Sequence, residues 1–304
     1  MTLTELRYLV ALAQTGHFRK AAESCHVSQP TLSIALKKLE EELGVTLIER
    51  SKSRILITAV GEQIVRQARH VLAQASIIQE IADSDKDSLG SPLRLGAIFT
   101  IGPYLFPQLL PELHRVAPDM PLVLQESYTA SLREKLVNTS LDAILIALPF
   151  NEPDVVTKKL YDEPFVVLLP KDHPWAERSS IDPADMASEV VLLLGEGHCF
   201  REQVLSACPG LAERMQQPDY PAAASANTSL DTLKYMVASG LGITVLPESA
   251  ATLTHYARKQ LTTRPFSKGG PGRTVALAWR ASFPRFKAID TLCTALGRCS
   301  VANP

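Results

Sequence analysis

The sequence predicts a mixed α/β protein. A small helical amino-terminal part and one long helix precede a larger region in which strands and helices alternate. Three observations carry that prediction. Apolar residues recur at helical spacing through the first 45 residues. A six-member apolar series then runs through residues 59–88 with no proline. From residue 93 onward, short apolar runs of strand length are separated by helical stretches.

The chain has 304 residues, of which 46% are hydrophobic and 21% charged, with a formal net charge of −1. At ~100–200 residues per domain that length suits two domains, with cores large enough to need no disulfide or metal staple. The composition excludes collagen-like, low-complexity and extended disordered chains. No apolar run reaches the ~18–20 residues of a membrane span. The start, Met1-Thr-Leu-Thr-Glu-Leu-Arg7, lacks the basic-then-apolar order of a signal peptide. The expectation is a soluble, cytoplasmic protein with no membrane partner and no cofactor. Five cysteines (Cys25, Cys199, Cys208, Cys293, Cys299) are odd in number and scattered outside Cys-x-x-Cys pairs, which disfavours a disulfide framework and a zinc ribbon.

Leu6, Leu9, Val10 and Ala13 give a first helix ending near Gly16, and a second short helix fits Phe18 to Ser24. Its Ala21-Ala22 pair is small enough for another helix to cross closely. After the break Cys25-His26-Val27, Pro30 falls in the first turn of a third helix, where its missing N–H costs little, with Ser28 or Gln29 as cap. Leu32, Leu36, Leu39 and Leu43 mark that helix's buried face. Gln29, Ser33 and Lys37 lie opposite, with Thr31 beside them, so short polar side chains that reach base edges precede a cation for phosphate. Helix, tight turn and helix in this order make a helix-turn-helix, the alternative being an ordinary helical hairpin with a solvated face. Leu47 to Thr58 favours the first reading, because it fits a hairpin whose tip carries Arg50, Lys52 and Arg54, a wing for the DNA backbone. The near-zero net charge does not oppose this, since Glu40, Glu41 and Glu42 fall together on one short stretch. The expected DNA-binding set is therefore Gln29, Pro30, Thr31, Ser33, Lys37, Arg50, Lys52 and Arg54.

Ile64, Ala68, Val71, Ala75, Ile78 and Ala82 are spaced alternately four and three apart, the seam of a coiled coil. Thirty residues of helix would span ~45 Å, and a second copy of the chain is the simplest partner for so long a seam. Dimerisation would place two reading helices at the fixed spacing a palindromic site requires. The polar, breaker-rich segment Asp83 to Pro92 is the expected boundary, giving a winged helix-turn-helix over residues 1–58, a dimerisation helix over 59–89 and a regulatory domain over 90–304.

On these residues the chain resembles the LysR-type transcription regulators over its whole length. Leu6-Arg7-Tyr8, Ala21-Ala22, Val27-Ser-Gln-Pro-Thr-Leu-Ser33, Leu39-Glu-Glu-Glu-Leu-Gly44, Leu47-Ile-Glu-Arg50 and Thr58 carry the likeness. It implies double-stranded promoter DNA and RNA polymerase as partners and a homodimer or homotetramer.

Downstream, strands are expected at Leu93–Ile98, Leu122–Glu126, Ala143–Ala147, Val166–Leu169, Val191–Leu194, Ile243–Leu246 and Val275–Trp279. Helices are expected at Tyr104–Val116, Ser131–Val137, Phe200–Ala207, Leu230–Val237 and Phe286–Leu296. Such alternation implies α/β lobes with mainly parallel sheets, whose ligands sit beyond the carboxyl ends of the strands. Thr100 and Thr129 fall just past the first and second strands, in that kind of place, although caps and turns use threonine there too. The family resemblance implies a two-lobed fold like that of periplasmic binding proteins. One lobe would hold residues 90–161 with 266–304 and the other 162–265, with crossovers near Tyr161 and Pro265.

The most informative segment is Gly195-Glu-Gly-His-Cys-Phe-Arg201 and its continuation to Cys208-Pro-Gly210. Glycines on both sides of Glu196 suit a turn after a strand, and Pro209-Gly210 stops the helix that follows. Cys199 then sits at a helix amino terminus, where the dipole favours a thiolate, with His198 beside it. Nine positions along a continuous helix separate Cys199 from Cys208 by ~13 Å and about half a turn. A disulfide needs Cα atoms within ~7 Å, so any bond between this pair requires the helix to melt. Two unrelated buried cysteines remain the alternative on spacing alone.

The segment resembles that of the hydrogen-peroxide-sensing members of the LysR-type family, as do Thr100-Ile-Gly-Pro-Tyr104, Leu141 to Pro149, Tyr161-Asp-Glu-Pro-Phe165 and Val237 to Gly242. The resemblance implies that peroxide oxidises Cys199 to a sulfenic acid, which Cys208 resolves into a disulfide. The change would switch expression of oxidative-stress defence genes. It also implies a peroxide pocket of Thr100, Thr129, His198 and Arg273, and a polymerase contact at Asp142. Three other readings stay open: a LysR-type regulator answering a small organic effector in the cleft between lobes, a thiol peroxidase, and a metal site of His198, Cys199 and Cys208.

Overall fold

The computed structural model describes residues 1–50, 55–84, 89–221, 225–226, 228–253, 257–267 and 269–300. The chain divides into two compact units, Met1–Lys86 with Val137–Ser140, and the remainder.

In the first unit α1 (Leu3–Thr15), α2 (Phe18–Ser24) and α3 (Gln29–Leu43) precede a short hairpin of β1 (Ile48–Arg50) and β2 (Ile55–Ile57), then α4 (Ala59–Ser84). Thr2 and Glu5 form a reciprocal capping box on α1, and Ser28 caps α3 by accepting from the Thr31 N–H at 3.3 Å. Leu9, Leu12, Leu32, Leu36, Leu39 and Leu47 are fully buried in one core that Val65 of α4 joins. The hairpin is antiparallel with Ile48 opposite Ile57. Its expected basic tip, Lys52 and Arg54, and the side chain of Arg50 lie outside the described residues. Glu40 does more than sit in a solvated acidic run: its carboxylate accepts from the N–H groups of Leu47 and Ile48 at 2.7 and 3.0 Å, pinning the entry to the hairpin. Of the seam expected along α4, Ala68 is buried, whereas Val71 and Ile78 are 37% and 70% exposed.

The second unit is built on β3 (Leu93–Ile98), α5 (Gly102–Val116), β4 (Leu122–Ser127), α6 (Thr129–Val137), β5 (Ala143–Ala147), β6 (Val155–Pro170) and β7 (Val191–Leu194). It continues through α7 (Cys199–Ala207), α8 (Leu211–Met215), β8 (Ser225–Ala226), α9 (Leu230–Ala238), β9 (Ile243–Pro247), α10 (Ala257–Gln260), β10 (Leu261–Pro265), β11 (Gly272–Arg280) and α11 (Phe286–Leu296). The strands form one sheet in the order β4-β3-β5-β11-β6-β9-β7-β8, with β10 also on β6.

The expectation of mainly parallel sheets is corrected. Among the described residues β3–β4, β3–β5, β7–β8 and β7–β9 are parallel, but β5–β11, β6–β11, β6–β9 and β6–β10 are antiparallel. The reason is β6, a 16-residue strand of which only Val166–Leu169 shows an apolar run. Its first part pairs with β11 through Pro164, and from Phe165 onward it pairs with β9 and β10. It thus passes from one hydrophobic core to a second without a helical crossover.

Those two cores matter for the site. The first surrounds Leu95, Ile144, Leu277 and Leu292, and the second surrounds Phe165, Leu192, Phe200, Val204 and Leu246. No described helix is long and apolar enough to cross a membrane.

A buried cysteine pocket and a reading helix

On α3, Gln29, Pro30, Thr31 and Lys37 are exposed and Ser33 is half-buried, so the predicted reading face is presented outward. Lys37 pairs with Glu41 one turn on at 3.6 Å, an exposed contact of little energetic weight that phosphate can displace. Ile34, outside the predicted set, stands 70% exposed on the same helix. It lies off the leucine stripe, and that was the available signal, because an isoleucine off the buried stripe is free for apolar contact with a thymine methyl.

In the second unit the strand ends bring several of the expected site residues together. Thr100 follows β3, Thr129 opens α6 after β4, and the loop after β7 brings His198 and Cys199 to the start of α7. Thr100, Thr129, His198 and Cys199 all line one small cavity, together with Phe99, Tyr128 and Phe200. It is a small cavity of about 10 Å³, close to what one water-sized guest needs. Thr129, Gly197, His198 and Cys199 also border a wider recess of about 440 Å³ that opens toward solvent past Arg133 and Glu202. Cys199 therefore stands between an open approach and a closed end.

Each group in the pocket is held. The His198 ring lies edge-on to Tyr128 at 4.8 Å between centroids and tilts toward Phe99 at 5.8 Å, and Phe99 and Tyr128 meet edge to face at 5.2 Å. Burial lowers the His198 pKa, so the imidazole is neutral at neutral pH and can both donate and accept a hydrogen bond. The Thr129 hydroxyl is buried with no protein partner, a polar group that a guest molecule would satisfy.

Arg273 does not line the small cavity; it stands behind Thr100. Its guanidinium donates to the Thr100 hydroxyl and carbonyl, each at 2.8 Å, and to Glu163 at 2.7 Å. Glu163 also accepts from the Ser249 N–H at 3.0 Å, and the guanidinium carbon lies 5.6 Å from the Phe200 ring centroid. Because the Thr100 oxygen accepts from Arg273, its own hydrogen is left to donate into the cavity. Glu163, which no sequence pattern singled out, holds the Arg273 guanidinium in place. It stood within Tyr161-Asp-Glu-Pro-Phe165, and the signal was only an acid flanked by buried aromatic residues.

Cys208 is not in this pocket. It ends α7, its N–H closing the last turn on the Val204 carbonyl at 3.0 Å, and its side chain is 1% exposed within the second core. Cys199 packs instead against the first core. Both thiols are free, and burial pushes the Cys208 thiol up to about 11. Among the described residues no group of three or more His, Cys, Asp or Glu could hold a metal ion. His198, Cys199 and Cys208 accordingly do not converge, because the helix keeps the two sulfurs apart. Asp142 lies elsewhere, on the edge of β5. It is 2% exposed, and both its carboxylate oxygens are taken by Arg94, at 2.7 Å to each oxygen. In this conformation it offers no surface to another protein.

Comparison with known proteins places this arrangement. Residues 3–62 match the bacterial regulatory helix-turn-helix model of the lysR family, and residues 86–298 match the LysR substrate binding domain. The DNA-binding transcriptional dual regulator OxyR of Escherichia coli K12 is 40% identical over 296 residues, 97% of this chain and 95% of that protein. The hydrogen peroxide-inducible genes activator of Haemophilus influenzae is 36% identical over 97% of this chain and 96% of its own. Among solved structures, full-length Pseudomonas aeruginosa OxyR with a cysteine-to-aspartate substitution superposes with a TM-score of 0.78 at 57% identity, covering 100% of this chain and 97% of that one. A cysteine-to-serine variant of Corynebacterium glutamicum OxyR with hydrogen peroxide bound matches with a TM-score of 0.63 at 32% identity, covering 98% and 92%. The chain belongs to the LysR family of DNA-binding transcription regulators, within its OxyR group.

Proposed function

We propose that this regulator senses hydrogen peroxide by oxidising Cys199 and bonding it to Cys208, and that the resulting refolding of α7 switches its action on promoters of oxidative-stress defence genes. The Cys199 thiolate attacks one peroxide oxygen. The S–O bond forms as the O–O bond breaks, sulfur is oxidised to sulfenic acid, and the departing hydroxide takes a proton to become water. Thr129 and neutral His198 hold the guest beside the sulfur. Thr100, backed by the Arg273 charge in a dry setting, faces the oxygen that leaves. Cys208 then displaces the sulfenic hydroxyl, so two thiols and one peroxide yield one disulfide and two waters.

One observation carries the reading. The two sulfurs sit at opposite ends of a continuous helix and in separate hydrophobic cores, so the disulfide and the reduced fold are mutually exclusive. Cys208 has to leave its core before it can react. Exposed Val71 and Ile78 on α4 support pairing with a second copy, and in this reading the homodimer or homotetramer carries its α3 helices onto double-stranded DNA. The rearranged unit then changes how that assembly sits on the promoter and meets RNA polymerase.

The test is peptide mapping of protein treated with one equivalent of peroxide, paired with a DNA footprint of each redox form. A Cys199–Cys208 bridge and a changed footprint are expected. Cys199→Ser abolishes both, and Cys208→Ser leaves a sulfenic acid trappable at Cys199. An unbridged protein with an unchanged footprint refutes the proposal.

A further inference from the structure

Building on that reading, we infer that Phe99, with Tyr128 beside it, is the residue that restricts the sensor to hydrogen peroxide and shuts out alkyl hydroperoxides. A thiolate attacks the terminal oxygen of a hydroperoxide and expels the other one with whatever it carries: hydroxide from hydrogen peroxide, an alkoxide from an alkyl hydroperoxide. The sulfur is oxidised by two electrons in either case, and the expelled oxygen takes a proton to give water or an alcohol.

The group that can receive the leaving oxygen is Thr100, with Arg273 behind it, and Thr100 borders the small inner cavity but not the outer recess. The leaving end of the guest therefore points inward. Ile98, Phe99, Tyr128 and Phe200 wall that inner end and take no part in lining the recess. A cavity of about 10 Å³ admits a hydroxyl and has no room for a butyl group. Of the walls, Ile98 and Phe200 are fixed in the two cores, whereas Phe99 is only half-buried and rests on the Tyr128 and His198 rings. It is the wall that can be shortened with least damage to the fold.

The experiment uses the full-length reduced protein and follows sulfenic acid at Cys199 by mass spectrometry after trapping, with hydrogen peroxide and with tert-butyl hydroperoxide. The wild type is expected to prefer hydrogen peroxide by about a hundredfold, the discrimination a shape-restricted apolar wall supplies. Phe99→Ala slows the reaction with hydrogen peroxide, because the His198 ring loses a neighbour, yet speeds that with tert-butyl hydroperoxide. The preference then narrows by about tenfold or more. Phe99→Leu falls between and carries the test should the alanine variant not fold. A merely structural role for Phe99 would slow both reactions together and leave the ratio fixed, which overturns the inference, as does a wild type that oxidises equally fast with both. Failure of Cys199 to react with hydrogen peroxide at all would instead remove the sensor reading and this inference with it.

Discussion

The two ends of α7 are nine residues apart and differ in almost every physical respect. At the amino end Cys199 is half-buried and faces a cavity with an unpartnered hydroxyl, a neutral imidazole and a threonine backed by a buried ion pair. At the carboxyl end Cys208 is enclosed by apolar side chains and its thiol is held protonated. One sulfur is accessible to a small polar oxidant and the other is kept from it. On the proposed mechanism the difference orders the chemistry in time: the more accessible sulfur reacts first, and the second becomes available only when the structure between them gives way.

The sharpest way to break the contrast is to remove the charge that backs the amino end. Arg273→Ala leaves Glu163, 4% exposed, with a buried carboxylate and no partner guanidinium, and it releases Thr100. Breaking a buried pair from one side costs about 3–5 kcal/mol. The denaturation midpoint in urea should fall accordingly, and the rate of Cys199 oxidation should fall with it. Arg273→Ala combined with Glu163→Gln should recover much of the stability without recovering the rate, which separates the structural from the chemical contribution of the arginine.

The carboxyl end is tested by pH. Burial raises the folded Cys208 thiol from 9.0 to about 11, so the folded chain holds this proton more tightly than the unfolded chain does. Its stabilising contribution is complete below pH 9 and is lost as pH rises from 9 toward 11. Urea midpoints of wild type and Cys208→Ser, measured between pH 8 and 10.5, should converge with rising pH. The other thiols that burial raises, half-buried Cys293 and buried Cys299, are common to both proteins and cancel in the difference. A gap that stays constant across the range would place the Cys208 thiol in water rather than in the core.

How much of this could be seen in the sequence follows the range of the interactions. The helix-turn-helix, the hairpin and the long helix rest on spacings of three to five residues, and the leucine stripe Leu32, Leu36, Leu39 is buried as its period requires. The start of α7 was legible because Gly-Glu-Gly-His before it and Pro-Gly after it are local punctuation. The mixed sheet was not, since the first part of β6, up to Leu160, is largely exposed and lacks an apolar run, and the partners β9 and β11 lie about 75 to 125 residues away in sequence. Glu163 and Arg273 are 110 residues apart, and nothing near either one marks the pair. The aromatic walls Phe99 and Tyr128 were hidden for the same reason, because each looks like an ordinary strand-end residue until the loop after β7 is laid across them.

The smallest expected effects come from the two turns that flank α7, and they sharpen the contrast most finely. Gly197 and Gly210 both hold positive φ, +89° and +76°, a region where a Cβ crowds the following carbonyl. Alanine at either site should cost about 1–2 kcal/mol of stability from backbone strain alone. Their surroundings differ: a Cβ at Gly197 would stand 3.4 Å from the Tyr128 ring, whereas one at Gly210 would meet only the Ala187 methyl at 3.5 Å. Gly197→Ala should therefore act on the pocket through the strained backbone next to His198, with its methyl in ordinary contact with the Tyr128 ring, and slow the first oxidation of Cys199. Gly210→Ala should leave that step unchanged and, by loosening the turn after Cys208, speed the closure of the disulfide. Stopped-flow rates for the two steps, measured on proteins matched in stability, decide it. Equal effects of both variants on sulfenic acid formation would mean that the two ends of the helix are mechanically one piece, and the temporal order argued from their difference would have no structural basis.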